Sequence, residues 1–189
     1  MLQRPLGEFL AAVASASEPA PAGGSAAAVT GALSASLLIL VCRVRRARGD
    51  DGGDFTGLLG RAESIQQRLA HMVDSDANAF RNLMSVRRLP KRDAFEETTR
   101  RVALRQALSR ATYSPLEIAA ACADLVAIAD QIEALTSGEI GSDARIARHL
   151  ARAALMSALD TVEQNLPHVS EPTQRAEMEH QFASLRARS

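Results

Sequence analysis

Apolar residues recur at helical spacing along almost the whole of this 189-residue chain, and no stretch alternates convincingly as a β-strand. Such periodicity is typical of amphipathic helices that each bury one face. Hydrophobic residues make up 47% of the chain but aromatic residues only 3%, and much of the apolar content is alanine. Alanine suits helices because it loses no side-chain entropy there, whereas strands favour branched and aromatic side chains. The sequence therefore predicts an all-α fold.

Helix start and stop signals divide the chain into seven predicted helices. The run Ser114-Pro115-Leu116-Glu117 is typical of a helix start, with a capping box and a proline in the first turn. Leu89-Pro90 and Pro167 are expected to end helices. The predicted ranges are 5–17, 25–48, 55–86, 91–111, 114–135, 142–166 and 171–186. With neither a repeat nor a linker, we expect a single-domain antiparallel helical bundle of about six or seven helices over residues 1–189.

Charge and hydropathy argue against several classes of protein. The 22 basic and 22 acidic residues give a formal net charge of zero, so the chain lacks an overall field for capturing nucleic acid. The uncharged run 26–42 is weakly hydrophobic in its first half, which favours a buried central helix over a membrane span. Since no signal peptide is recognisable either, we expect a cytoplasmic protein without a nucleic-acid or membrane partner.

The cysteine and histidine patterns do not suggest a metal site. Cys42 and Cys122 each lie in an apolar run without a neighbour at ligand spacing, which favours buried thiols in a reducing compartment. The four histidines form no spaced pair. We therefore expect neither a bound metal nor a disulfide.

Asp76 is the most informative single residue. It follows Leu69 and Val73 and precedes Phe80 on the inward stripe of the third predicted helix, so a carboxylate replaces an apolar side chain there. Burying an unpaired carboxylate is costly, and such a group needs a partner, a raised pKa or an adjoining cavity. Asp76 is therefore a candidate general base or cation stabiliser, the alternative being a structural Asp bonded to a neighbouring helix.

Two helix starts are candidate binding elements. Gly23, Gly24 and Ser25 precede a long helix, where glycines let a ligand approach the backbone and free N–H groups bind anions or carbonyl oxygens. Ser142 and Asp143 open the sixth predicted helix, and each is either a cap or part of a site. From the pattern alone, an ordinary turn and ordinary caps are the stronger interpretations.

Three further polar features are weaker candidates. Asn165 continues the inward face of the sixth predicted helix, and Lys91 follows Leu89-Pro90. The arginines at 43, 45, 46 and 48 suit the negative end of the second helix, or alternatively attract a polyanionic ligand tail.

Taken in order, these motifs resemble the cyclodeaminase/cyclohydrolase family, which includes the cyclodeaminase part of formiminotransferase-cyclodeaminase and bacterial methenyltetrahydrofolate cyclohydrolases. The matching segments cover nearly the whole chain and are fairly specific as an ordered set. They are the run 19–25 before an alanine-rich helix, the run 76–80, Leu89-Pro90-Lys91, Pro115-Leu116, Ser142-Asp143 and Asn165-Leu166.

The resemblance implies a folate one-carbon enzyme built as an all-α bundle that dimerises through helices. The implied reactions are hydrolysis of the methenyl bridge of methenyltetrahydrofolate and loss of ammonia from formiminotetrahydrofolate, with the reduced folate as substrate and no cofactor. Asp76 and Asp143 are then the catalytic candidates. The candidates for substrate binding are Gly23, Gly24, Ser25, Lys91, Ser142 and Asn165. A homodimer is also favoured by the small residues of the second predicted helix.

The chain departs from the family pattern at several polar positions. Ala22 stands where the family usually has a first glycine, and Thr161 where it usually has an asparagine; 42–44 and 136–137 differ as well. Two alternatives stay open. These changes favour a degenerate member that binds a pterin, a folate or a protein partner without catalysis, and a plain helical assembly subunit is favoured if Asp76 and Asp143 prove to be caps and surface groups.

Overall fold

The computed structural model describes residues 5–16, 21–49 and 53–189. Its six α-helices and one short 3-10 helix follow in the order α1 Leu6–Val13, α2 Gly23–Ala47, α3 Phe55–Arg87, α4 Ala94–Ala134, α5 Gly138–Asn165, the 3-10 helix Leu166–His168 and α6 Pro172–Arg186. No strand occurs within the described ranges. The predicted all-α fold is therefore confirmed. The motif residues Pro19 and Ala20, and the predicted end of the first helix at residue 17, lie outside the described residues.

The central helix α2 packs along α3 and α5 and also contacts α4, while α4 packs against α3 and α5. By length and composition α2 is able to cross a membrane, because its most apolar 18-residue window has a mean hydropathy of 2.0. However, 61% of that window is buried inside the fold. The burial favours the interpretation of α2 as the core helix of the bundle.

Small residues let α2 approach its neighbours closely. A Cβ added at Gly31 would lie 2.8 Å from Sγ of Cys122 on α4 and 3.0 Å from Cδ1 of Leu69 on α3. Cys42 and Cys122 are both free and buried, and burial raises the pKa of Cys42 to about 11 and that of Cys122 to about 12. The predicted buried thiols are confirmed, and both remain protonated at neutral pH.

The predicted break between the fourth and fifth helices is wrong. A single helix, α4, runs through Pro115, which lies buried inside it. Proline has no N–H, so it cannot donate to the carbonyl of Ala111 four residues earlier. Asn165 of α5 replaces that donor, because its Nδ2 lies 3.1 Å from the Ala111 oxygen. A side chain from a neighbouring helix thus satisfies the carbonyl that the proline leaves unbonded.

The expected start of the sixth helix at Ser142 is also wrong, since α5 begins at Gly138. Gly138 has a φ of +69°, a conformation that glycine adopts readily, and this allows the short turn from α4 into α5. Ser142 and Asp143 consequently lie inside the helix rather than at its cap.

We expect the Pro115–Asn165 relationship to appear as a coupling in a double-mutant cycle. Asn165→Ala leaves the buried Ala111 carbonyl without its partner, which costs about 1–3 kcal/mol of unfolding free energy. In a Pro115→Ala background the backbone N–H at position 115 restores the helical bond, so Asn165→Ala is expected to cost much less there. Urea denaturation of the four proteins measures the difference.

The exposed Asn82→Ala serves as the control for this cycle and is expected to change stability little in either background. Equal costs of Asn165→Ala with and without the proline would show that the hydrogen bond does not compensate for Pro115.

Candidate functional site

The centre of the candidate site is the carboxylate of Asp76, which α3 directs toward the start of α2. The residue is 8% exposed, as its place on the inward stripe predicted. Ser25 Oγ lies 2.9 Å from Asp76 Oδ2, and Ser114 Oγ of α4 lies 3.4 Å from Oδ1. Since both serines are buried, one carboxylate joins three helices through side chains that exclude bulk water.

Asp76 also accepts a hydrogen bond from the backbone at the N-terminus of α2. The N-cap residue Ala22 has no side chain that accepts a hydrogen bond, and the Ser25 backbone N–H donates to the Asp76 carboxylate instead. Gly24 makes this contact possible, because an added Cβ there would lie 2.7 Å from Asp76 Cγ. The glycine turn therefore allows the Asp76 carboxylate to lie at the positive end of the α2 dipole.

Burial raises the pKa of Asp76, since the folded protein removes much of the water that stabilises the anion. Hydrogen bonds from the Ser25 hydroxyl, the Ser114 hydroxyl and the Ser25 backbone N–H act in the opposite direction, yet the pKa remains raised. A carboxyl group whose pKa is raised by burial in spite of these hydrogen bonds is suited to accepting and returning a proton.

A cavity of about 290 Å³ opens beside this carboxylate. That volume is near the lower end of the range for small-molecule sites. Helices α2, α3, α4 and α5 all contribute to its wall. The lining residues are Ala22, Gly23, Gly24, Asp76, Phe80, Ala111, Thr161, Gln164 and Asn165.

The structure brings together five of the eight residues that the sequence singled out. Gly23, Gly24, Asp76 and Asn165 line the cavity, and Ser25 bonds to Asp76 behind it. This grouping comes from residues up to 142 positions apart in the sequence, so it depends on the packing of the bundle.

Lys91, Ser142 and Asp143 lie elsewhere. Lys91 is exposed in the segment between α3 and α4. Asp143 precedes the cavity residue Thr161 by 18 positions on α5, which places it about 27 Å away along the helix. The two candidate catalytic carboxylates, Asp76 and Asp143, therefore do not face one cavity within a single chain. The reason is that only the C-terminal end of the 28-residue helix α5 lines the cavity, whereas Asp143 lies near its N-terminus.

Several residues of the site were not predicted. Ser114 was interpreted as a helix cap because Pro115 follows it, and the continuous α4 instead turns its hydroxyl toward Asp76. Phe80 had a usable signal, since it follows Asp76 by one turn on the same inward stripe. Ala111 and Gln164 carried no signal in the sequence. Within the described ranges, no group of three or more His, Cys, Asp or Glu side chains is placed to hold a metal ion.

The contact between Gly24 and Asp76 predicts unequal effects of two alanine substitutions. Gly24→Ala is expected to displace the Asp76 carboxylate and to destabilise the fold by about 1–3 kcal/mol through overpacking. Gly23→Ala is the matched control, because its added Cβ meets only Thr161 Oγ1 at 4.0 Å. Urea denaturation compares the two variants, and equal stabilities would contradict the proposed close approach.

Comparison with known proteins agrees with this architecture. The family model described as formiminotransferase-cyclodeaminase matches residues 5–184. A methenyltetrahydrofolate cyclohydrolase of Methylorubrum extorquens is 32% identical over 153 residues, covering 79% of this chain and 73% of that protein. The formimidoyltransferase-cyclodeaminase of Sus scrofa is 28% identical over 98% of this chain, which spans only 35% of that longer protein.

A solved structure shows the same fold. The formiminotetrahydrofolate cyclodeaminase of Thermotoga maritima superposes with a TM-score of 0.84, at 23% identity, over 100% of this chain and 91% of that one. The family match spans nearly the whole sequence, and three of the motifs that suggested it, the glycine turn, Asp76 and Asn165, meet at one cavity. The chain therefore belongs to the formiminotransferase-cyclodeaminase family.

Proposed function

We propose that this chain is a folate one-carbon enzyme that hydrolyses the methenyl bridge of methenyltetrahydrofolate. The observation that carries the proposal is the buried carboxylate of Asp76, whose pKa burial raises, at a cavity formed by four helices. The 32% identity to a methenyltetrahydrofolate cyclohydrolase supports the choice of substrate. Deamination of formiminotetrahydrofolate is the second candidate reaction, supported by the 28% identity to formimidoyltransferase-cyclodeaminase.

The chemistry requires a group that stabilises a cation and accepts a proton. The methenyl carbon lies between two nitrogens and carries delocalised positive charge. Water attacks this carbon and gives a proton to the Asp76 carboxylate. One carbon–nitrogen bond then breaks as Asp76 returns this proton to the leaving nitrogen. The hydroxyl group formed by the attack gives its own proton to the freed carboxylate, so the carbon becomes a formyl group on the other nitrogen. The carboxylate favours the first step because it stabilises the positive charge that develops on the attacking water and accepts its proton.

The serines allow Asp76 to change its protonation state without losing hydrogen bonds. Ser25 Oγ lies 2.9 Å from Asp76 Oδ2 and 3.2 Å from the Val73 carbonyl oxygen, and it has one hydrogen to donate. With Asp76 ionised, that hydrogen points to the carboxylate. With Asp76 protonated, it points to Val73, and the serine oxygen accepts from the acid. This arrangement supports a role for Asp76 as a proton acceptor.

Thr161 favours the alternative of binding without efficient turnover. Its hydroxyl lies 3.1 Å from the Ser157 carbonyl and donates to it within α5. The threonine therefore does not offer the two N–H donors that an asparagine would present to a pterin. Each lost hydrogen bond to a polar ligand group costs about 1–3 kcal/mol. We accordingly expect weak activity with ordinary folates.

The decisive experiment follows the near-ultraviolet absorbance of methenyltetrahydrofolate with enzyme and with buffer alone. Parallel incubations with formiminotetrahydrofolate and a methanopterin-type carrier identify the preferred substrate. Absence of both binding and turnover with all three would reject the folate proposal in favour of an assembly role.

We also propose a cytoplasmic homodimer that associates through α2 and α5. The leucines at 33 and 40 lie on one side of α2 and are 54% and 47% exposed. The neighbouring α5 presents Ile146 and Met156, which are 46% and 51% exposed. Two adjacent helices with exposed apolar side chains suit a two-fold interface.

Asp76→Asn tests the catalytic assignment. It is expected to abolish turnover while retaining the fold, because the amide is nearly isosteric but accepts no proton. In the wild type, activity is expected to rise with pH through the raised pKa of Asp76, as ionisation creates the base.

The pH dependence of the unfolding free energy tests the raised pKa of Asp76 independently of turnover. A raised pKa means that the folded state binds the proton more tightly than the unfolded chain does. The wild type therefore loses stability as the pH rises from the ordinary carboxyl pKa of 3.8 toward the raised value. Asp76→Asn has no carboxyl group to titrate and does not lose this stability. As the pH rises from 3.8 toward the raised pKa, the unfolding free energy of the variant is therefore expected to increase relative to that of the wild type. Turnover by Asp76→Asn at the wild-type rate would contradict the catalytic role of Asp76.

The dimer proposal predicts that Leu33→Glu combined with Leu40→Glu gives a folded monomer by sedimentation. Phe95→Glu is the control, since Phe95 is 80% exposed but lies at the start of α4. A wild type that sediments as a monomer throughout the micromolar range would contradict the proposal.

A further inference from the structure

The side of the Asp76 cavity that α5 forms carries two polar side chains, those of Thr161 and Asn165. They lie four positions apart on the helix, a rise of about 6 Å, and side chains at this spacing share one face. Each of them is hydrogen-bonded within the protein. The hydrogens used in these internal bonds decide which atoms remain for a ligand.

Thr161 has no hydrogen left to offer to a ligand. Its hydroxyl carries one hydrogen, which is donated to the Ser157 carbonyl oxygen at 3.1 Å. The hydroxyl oxygen retains a lone pair and lies beside the glycine turn, because a Cβ added at Gly23 would be 4.0 Å from it. Toward a ligand at this turn, Thr161 is therefore an acceptor.

The side-chain amide of Asn165 is held in one of its two orientations. An amide keeps its shape when its oxygen and nitrogen exchange places, so an asparagine is able to present either atom. The Ala111 carbonyl oxygen lies 3.1 Å from Asn165 Nδ2 and accepts a hydrogen bond from it. Rotation of the amide would place two acceptor oxygens against each other and leave the carbonyl unbonded, which is costly.

The oxygen of Asn165 is consequently the atom that remains for a ligand. No residue that the structure describes donates a hydrogen bond to Asn165 Oδ1, and this atom is not closed off from solvent. The Ala111 carbonyl depends on Asn165 because Pro115, which stands four residues later in α4, has no N–H to donate. The proline therefore determines which atom of Asn165 faces a ligand.

We propose that Pro115 is a positioning residue that sets the specificity of the cavity. By fixing Asn165 as an acceptor beside Thr161, it selects a ligand edge that carries adjacent N–H donors. The 2-amino-4-oxopyrimidine ring of a pterin has such an edge, formed by its amino group and its N3–H. A ring of the same shape with an oxygen at C2 places an acceptor opposite Asn165 Oδ1 and is disfavoured. The identity of the ring rests on the folate substrate proposed above, whereas the acceptor character of the wall does not.

The test compares two fluorescent probes, 6-methylpterin and 6-methyllumazine, which have the same shape but carry an amino group and an oxygen, respectively, at C2. Neither has a one-carbon bridge, so binding is measured without turnover. Fluorescence titration of the wild type is expected to show at least about tenfold tighter binding of the pterin, because the lumazine oxygen has no donor to meet.

Pro115→Ala is expected to reduce this discrimination by a gain of binding. The new backbone N–H bonds to the Ala111 carbonyl, which releases the Asn165 amide to rotate and to donate to the lumazine oxygen. We expect lumazine affinity to rise about tenfold and pterin affinity to stay within about twofold of the wild type. Adding Asn165→Asp to this variant supplies an ionised group that only accepts, so the preference for pterin is expected to return.

Thr161→Val tests the second acceptor, since valine has nearly the same shape but no oxygen. It is expected to weaken pterin binding about tenfold. Ser157→Ala is the matched control, because the Ser157 hydroxyl makes the same kind of bond, to the Ala153 carbonyl at 2.8 Å, and Ser157 does not line the cavity. This control is expected to bind both probes as the wild type does.

These outcomes separate the specificity proposal from the proposed reaction. A proline that only stiffened α4 would change the affinities for both probes alike, so equal changes, or no change, in Pro115→Ala would overturn the positioning role. Equal affinities of the wild type for the two probes, or binding of neither, would overturn the acceptor wall even if the enzyme is active. Discrimination that depends on Pro115 in a protein without turnover would reject the reaction and retain the specificity proposal.

Discussion

The burial of one carboxylate at the N-terminus of the central helix is the interaction on which the rest of the site depends. Asp76 accepts hydrogen bonds from groups on α2 and α4 while it belongs to α3. This contact compensates for the missing side-chain cap of α2 and fixes the relative position of three helices. It also leaves the carboxyl group with a raised pKa beside a cavity. The same contacts therefore serve packing and chemistry, which is why Gly24 and Ser25 have little freedom to change.

A second link joins the far wall of the cavity to the fold. Pro115 removes a hydrogen-bond donor inside α4, and Asn165 supplies one from α5. Ser114, immediately before the proline, donates to Asp76. Adjacent residues on α4 thus connect to both sides of the cavity. We infer that the Pro115-Leu116 motif belongs to the scaffold of the site and not to a helix start.

The sequence predicted the helical class, the family and the position of Asp76 because these depend on local periodicity and on ordered motifs. A carboxylate on an apolar stripe is visible in one helix alone. The continuity of α4 was not predictable in this way, since it depends on Asn165, which is 54 residues from its partner Ala111. Similarly, Asp143 lies far from Asp76 because of the length of α5 and its direction relative to α3. A local sequence pattern does not predict that direction. The roles of Asp76, Lys91 and Asn165 toward a substrate stay predictions.

The chain also shows how a scaffold persists while its lining changes. The contacts that hold the helices together involve glycine, serine and the Asp76 carboxylate, and each of them bonds or packs within the protein. Thr161 differs from the usual family residue, but its hydroxyl is satisfied inside α5, so the replacement leaves no buried group unpaired. A change of this kind costs little stability while it removes donors from the cavity wall. Residues that line the cavity are then able to change independently of those that hold the helices together. A member of this family could in this way acquire an altered one-carbon substrate without repacking of the helical bundle.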